Sequence, residues 1–290
     1  MFRRVLLIVL IAAMTVAFTA CAVEIEDLGG MVSGAVKEYN ESVDLSDKYK
    51  SDEPIEVNLD LIAAKAILGS TDEKLVDARF LYSSEAFKPE FTVKDDEISI
   101  TGKADKYNTK KLMNQWEVKL TDRIPLKVKL DAEVSDLKLN FSKMAVNDLD
   151  VSLDASTANL YFDEPNSEKI EKLELDANAS NGSLYNLGNS GFEKLDIKST
   201  ASKMNIDLTG KYERNGEARI EANASTLKLK LPEGLGVRIV IDQYELSTVK
   251  INNDNILSRS DREFVTKNYE AADKTLVVYV DLNVTTLTIE

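Results

Sequence analysis

The chain has no histidine and one cysteine in 290 residues. The first absence removes Ser-His-Asp and Cys-His nucleophile systems and every His-based metal site. The second removes an internal disulfide framework, so the core must hold by burial and hydrogen bonding. No Gly-x-Gly-x-x-Gly or Walker-type loop occurs, so the sequence offers no phosphate cradle. Positive charge is scarce: 36 Lys and Arg stand against 50 Asp and Glu, a net charge of −14. A surface this acidic repels nucleic acid and anionic headgroups. It favours solubility, cations or a basic partner.

What is present begins with a targeting segment. Arg3 and Arg4 precede the uncharged apolar run Val5–Phe18, followed by Thr19, Ala20 and Cys21. Basic, then apolar, then small is the order of a secretory leader, residues 1–20. The lone Cys21 at its end is the expected lipidation site, which would hold the protein on the membrane by an N-terminal lipid. An uncleaved single N-terminal anchor is the alternative, because the apolar run approaches the span of about 20 residues a bilayer requires. Both place the remaining chain on the extracytoplasmic face. Residues 21–54 are polar, with Gly29, Gly30 and Gly34, and read as a tether.

From Ile55 the sequence alternates. Val57, Leu59 and Leu61 have the period of a half-buried strand, as do FTVKDDEISITGK and WEVKL within residues 55–122. Residues 123–290 then repeat. In LDVSLDASTANLYFDEPNSEKIEK, Leu149, Val151 and Leu153 point inward, the chain bends at Ala155–Ser156, and Leu160 and Phe162 point inward on a second strand. The small residues Ala132, Ala155, Ala179, Ala201 and Ala224 recur every 22–24 residues and mark the structural corners. Such a period is the signature of stacked repeats, each too thin to bury its own apolar face. The expectation is an all-β, two-sheet β-solenoid-like stack; an antiparallel β-sandwich is the alternative. The corner alanine is expected inside, where room is short. The Ser, Thr or Asn beside it is expected to satisfy backbone groups freed at the bend. Asn215-Gly216 signals a tight turn, either a hairpin or a solenoid corner. The last copy, TLVVYVDLNVTTLTIE, is expected to close the stack after an irregular insert.

The segments WEVKLTDRIPLKVKLDAEVSDLKLNF, NLGNSGFEKLDIKSTASKMNIDLTG and ARIEANASTLKLKLPEGLGVRI resemble the toast-rack domains of LiaF-like envelope proteins. LIAAKAILGSTDEKLVDARFLYSSEAFKPEFTV resembles the segment that precedes those domains. The resemblance implies an all-β fold outside the membrane, a link to envelope-stress signalling, and no catalytic residues. The Gly-Ala-Ser common at the family's corners is here Asp-Ala, Thr-Ala-Ser or Asn-Ala-Ser. The several membrane spans usual in LiaF-like proteins are replaced here by one leader-like segment.

Candidate chemistry is sparse. Asp95, Asp96 and Glu97, or Asp148, Asp150 and Asp154, are the nearest thing to paired carboxylates; Asp148 and Asp150 share a strand face that Ca²⁺ could use. Alternating polar residues are more simply a wet sheet face. Arg238 is a conceivable base, and a surface strand arginine is the plainer reading. Trp116 and Tyr185 could stack on sugars, although buried aromatics are commoner. The Asn-x-Ser/Thr triplets at Asn140, Asn178, Asn181, Asn223 and Asn283 read as corner chemistry. The sequence therefore predicts no catalytic residue, no metal site and no cofactor. It predicts a non-enzymatic interaction or regulatory module of the cell envelope with a protein partner, or alternatively an adhesive protein that binds glycan or another surface.

Overall fold

A computed structural model describes residues 35–46, 53–103 and 112–290. The leader and Cys21 lie outside the described residues. Among the described residues no helix is long and apolar enough to cross a membrane.

Two sheets of eleven and twelve strands face each other across one core. The repeating unit is a coil. A long strand in one sheet meets a sharp corner, and a shorter strand follows in the other sheet. Val146–Asp154 and Thr157–Tyr161 form one such coil, Lys172–Asn178 and Asn181–Tyr185 the next. Neighbouring coils pair in parallel: Leu149 with Leu173, Leu160 with Leu184. The stack is thus the expected solenoid and not the antiparallel sandwich. Alternation decides what is buried. Leu149, Val151, Leu153, Leu160 and Phe162 all turn inward, at most 2% exposed. Gly182 takes the inward position of Ala158, and a Cβ there would lie 2.4 Å from Met204 Cε, so the long Met204 side chain fills the gap from the next coil.

The corner differs from expectation in two ways. First, its position is one residue in the left-handed region, φ 49–52°, at Ala63, Val134, Ala155, Ala179, Ala201, Ala224, Val284 and Leu246. Ala132 is not among them. It lies two residues before its corner, inward on Leu126–Glu133, in register with Leu153. Second, the corner alanines point outward into solvent. Space is not what limits them, since Val134 is 58% exposed, Val284 53% and Leu246 90%. A left-handed L-residue costs about 1–2 kcal/mol. A small side chain lessens that cost, and the hydrogen bonds of the corner offset it.

The residue after the corner is the buried one. The N–H groups of Ala64, Ser135, Ser156, Ser180, Ser202, Ser225 and Thr285 donate in turn to the hydroxyls of Ser135, Ser156, Ser180, Ser202, Ser225, Thr285 and Ser247, at 2.9–3.2 Å. Each hydroxyl donates to the carbonyl two residues before it, at 2.8–2.9 Å, or to one on the preceding coil. A buried N–H without an acceptor costs about 1–3 kcal/mol, so the hydroxyl that ends each pair is required by its neighbour. The first corner needs none: Ala64 has no corner before it to serve. The expected satisfaction of freed backbone groups by Ser and Thr thus holds.

The opposite side of each coil is looser. Short strands run into buried Phe141, Phe162, Leu187, Leu208 and Leu231, and loops of differing length return the chain. Asn166 brackets Val146 through both its N–H and carbonyl. Arg214 caps the carbonyls of Ile170 and Gly191 at 2.8 Å. Asn215-Gly216 lies in such a return, with Gly216 opening a strand that is parallel to both neighbours, so it makes no hairpin.

Three boundaries change. Lys37–Asp44, within the expected tether, is an eight-residue strand at the edge of the eleven-stranded sheet, antiparallel to Lys74–Tyr82. Residues 55–122 are not a separate layer, because Ile55–Ile62 pairs with Leu126–Glu133 and shares its core. The C-terminal copy does not close the stack. Thr275–Asn283 sits between Gly216–Asn223 and Gly236–Glu245, and Thr286–Ile289 between Thr226–Lys230 and Thr248–Ile251. Burial explains the exchange. Leu276, Val278, Val280 and Leu282 alternate along the whole C-terminal strand and need cover on both sides. Gly236–Glu245 loses its alternation after Ile241 and ends exposed, which suits an outer rung. The antiparallel strand Glu263–Thr266 covers only Arg238–Val240 of its edge.

Candidate interaction faces

The parallel register lines up side chains from successive coils in rows along the stack, so each sheet offers one broad outer face. On the long-strand face acidic residues meet across rungs. Asp60 neighbours Asp131, Asp150 neighbours Glu174, and Glu221 neighbours Asp281. Partial burial, then the Asp131 and Glu133 charges, raises Asp60 above the usual carboxylate range. Burial and Glu174 do the same for Asp148 and Asp150, and burial with Asp242 and Glu221 for Asp281. Lysines are interleaved: Lys127 pairs in register with Asp148, and Lys129 with Asp150. The suggested Ca²⁺ use of Asp148 and Asp150 finds no group of three acidic ligands among the described residues. Asp95 occupies the turn between Glu90–Lys94 and Glu97–Thr101 at φ 46°.

The short-strand face has the opposite balance. From Asp136–Asn140 to Thr248–Ile251 its outward positions carry Lys138, Lys203, Lys228, Lys230 and Lys250, with Asp136 and Asp207 as carboxylates. Burial would raise Asp207, but hydrogen bonds from Thr209 and Lys230 outweigh it and hold it low. Between the lysines lie Thr157, Asn159, Asn181, Ser183 and Asn205, with Asn205 donating to Ser183 at 3.1 Å.

The single residues resolve plainly. Trp116 is buried, its indole N–H donating to Asn114 Oδ1 at 2.8 Å, so it is closed to sugars. Tyr185 is 37% exposed, yet one ring face is covered by Tyr161, stacked at 4.8 Å and 9°. Lys138 lies over the Tyr161 ring, 5.9 Å from its centroid. Arg238 is half-buried and paired with Glu263 at 2.9 Å, tying the last long strand to its covering hairpin. Sequence reasoning missed the lysine face altogether, because its members are scattered from Lys138 to Lys250 and only parallel register gathers them.

Residues 32–171 match the family described as the N-terminal domain of toast_rack, DUF2154, which bears out the toast-rack resemblance over that part of the chain. No curated protein matches the chain. Among solved structures, the chain resembles a candidate cell-adhesion protein from Clostridium sporogenes at 20% identity and TM-score 0.46, covering 88% of this chain and 99% of that one. It also resembles a candidate adhesin from Bacteroides fragilis at 11% identity and TM-score 0.42, covering 90% and 100%. A candidate lipid-binding protein from Parabacteroides distasonis is similar at 9% identity and TM-score 0.33, covering 89% and 98%. Superpositions this loose carry no function across.

Proposed function

We propose that this protein is a non-catalytic binding module on the outer face of a bacterial membrane, held there by lipid on Cys21, and that a protein of the cell envelope docks on it. The observation that carries the reading is the pair of broad, in-register faces, which offer a partner long rows of side chains rather than an enclosed pocket. The toast-rack match over residues 32–171 supports it, and so does the basic–apolar–small order ending at Cys21. On this reading the module takes part in envelope-stress signalling. In-cell crosslinking of the membrane-attached protein, followed by mass spectrometry, tests it. Recovery of a sensor kinase or another stress protein supports it. Recovery of wall material or self-crosslinks alone, with a kinase detectable elsewhere in the sample, contradicts it.

The second reading is adhesive, with glycan or another surface as the partner. The segregation of charge favours it, since a lysine-bearing face on so acidic a chain is suited to an anionic ligand.

A further inference from the structure

We propose that the outer face of the short-strand sheet binds an acidic polysaccharide lying along the stack axis. The inference deepens the adhesive reading and rests on the chain being a binding module.

Charge distribution is the first ground. A net charge of −14 spread evenly would make both faces acidic. Instead carboxylates face one another across rungs of the long-strand face, Asp60 beside Asp131, Asp150 beside Glu174 and Glu221 beside Asp281, while lysines collect on the other. Internal pairing accounts for only part of the set. Lys230 meets Asp207, Lys228 meets Glu290 and Lys138 lies over the Tyr161 ring, but Lys203 and Lys250 have no ion-pair partner among the described residues. Lys203 and Lys228 stand on adjacent rungs two positions apart, and a polyanion would ease the repulsion between them.

The chemistry between the lysines is the second ground. The central row reads Lys138, Asn159, Ser183, Asn205, Lys228 in register on successive rungs. Rungs about 4.8 Å apart place the two end lysines on the order of 19 Å from each other. Between them stand amides and a hydroxyl, which both donate and accept as sugar hydroxyls require. Tyr161 and Tyr185 border the row, where their hydroxyls add two more such groups. A chain that alternates acid and hydroxyl groups meets each kind in turn. An anionic bilayer would find no apolar side chain between Lys138 and Lys228, and beside Lys138 only the single Ile67. A second copy's acidic face would bring its own Lys127, Lys129, Lys194 and Lys198 against these lysines.

The test measures binding of the mature chain to oligogalacturonate by calorimetry, with neutral dextran as control. Wild type should bind the acid oligomer, more weakly as salt rises, and should not bind dextran. Lys203→Glu with Lys228→Glu should weaken binding about tenfold or more. Lys194→Glu with Lys198→Glu, on the other face and with the same charge change, should weaken it less than about twofold. Circular dichroism melts confirm that both variants fold. Equal losses in the two double variants would overturn the proposal, as would no binding to the acid oligomer. Binding only to vesicles of anionic lipid, or lysine-dependent self-association in sedimentation, would overturn it also. If oligogalacturonate fails while in-cell crosslinking still captures an envelope protein, this proposal falls and the binding-module reading stands.

Discussion

Each coil turns twice, and the two turns are built on different principles. The sharp corner has two residues between its strands, the first of them left-handed, and this geometry is the same at all eight levels. Its hydroxyls tie each level to the next, so a corner cannot vary without leaving a neighbour's N–H unpaired. The return side is held by single devices, Asn166 at one level and Arg214 at another, and its loops differ in length. Where one device ties every level to the next the geometry repeats. Where neighbouring levels are tied by a different side chain each time the chain is free to insert, and the segment between Lys230 and Thr275 uses that freedom to build the outer rung before the rung beneath it.

The largest effect should come from the core that both turns enclose. Leu160→Asp buries an unpaired charge at a site 0% exposed and should cost several kcal/mol, about 3–5. Thr157→Asp, on the same strand but facing solvent, should cost less than about 1. Equally mild thermal melts for both would show Leu160 is not inward. Next is the corner itself. Ser180→Ala strands the N–H of buried Ser156 and should cost about 1–3 kcal/mol in urea unfolding. Ser247→Ala, at the open end, should cost less, because its bond from the Thr285 N–H is only part-buried and water can replace the lost hydroxyl. If the two cost the same, cooperation between levels is not what fixes the corner.

Smaller effects test the faces and the left-handed residue. Because Asp150 is raised when folded, its ionised form opposes folding at neutral pH. Stability should therefore rise as pH falls from neutral through the folded value, and level off below the unfolded value of about 3.9. Asp150→Asn should stabilise the protein at neutral pH by less than about 1 kcal/mol, an advantage that vanishes near pH 3. An advantage independent of pH would mean that the partly buried, ionised carboxylate is not its cause. Leu246→Gly relieves a left-handed leucine that touches little, against the extra freedom glycine has when unfolded. The net should be a gain of about 0.5 kcal/mol in melting experiments. A loss would mean that Leu246 packs against something.

Much of this was legible in the sequence. Alternation marked Leu149, Val151, Leu153 and Leu160 as inward, and the period marked the stack, because both depend on neighbours along the chain or at a fixed offset. The corner was legible as a place but not as a geometry. Ala155 and Ser156 are both small, and nothing local says which turns inward; only the left-handed φ sends the alanine out and the serine in. Ala132 fits the alanine period while the true corner is Val134, because the first interval is short: Val134 precedes Ala155 by 21 residues, and it is not an alanine. The order of the last two rungs was not legible, since Thr275–Asn283 fits either place by pattern and burial on both sides decides between them. The lysine face was hidden for the same reason, being a property of register.

The most direct test of the account is the order of the rungs. With Cys21→Ser as background, Lys228→Cys with Thr288→Cys places thiols on adjacent rungs, about 5 Å apart, and Lys228→Cys with Lys250→Cys places them two rungs apart, about 10 Å. A dithiol crosslinker that spans one rung and not two should join the first pair efficiently and the second poorly. The reverse result would put Thr248–Ile251 beside Thr226–Lys230, restore the order of the chain, and contradict the structure described above.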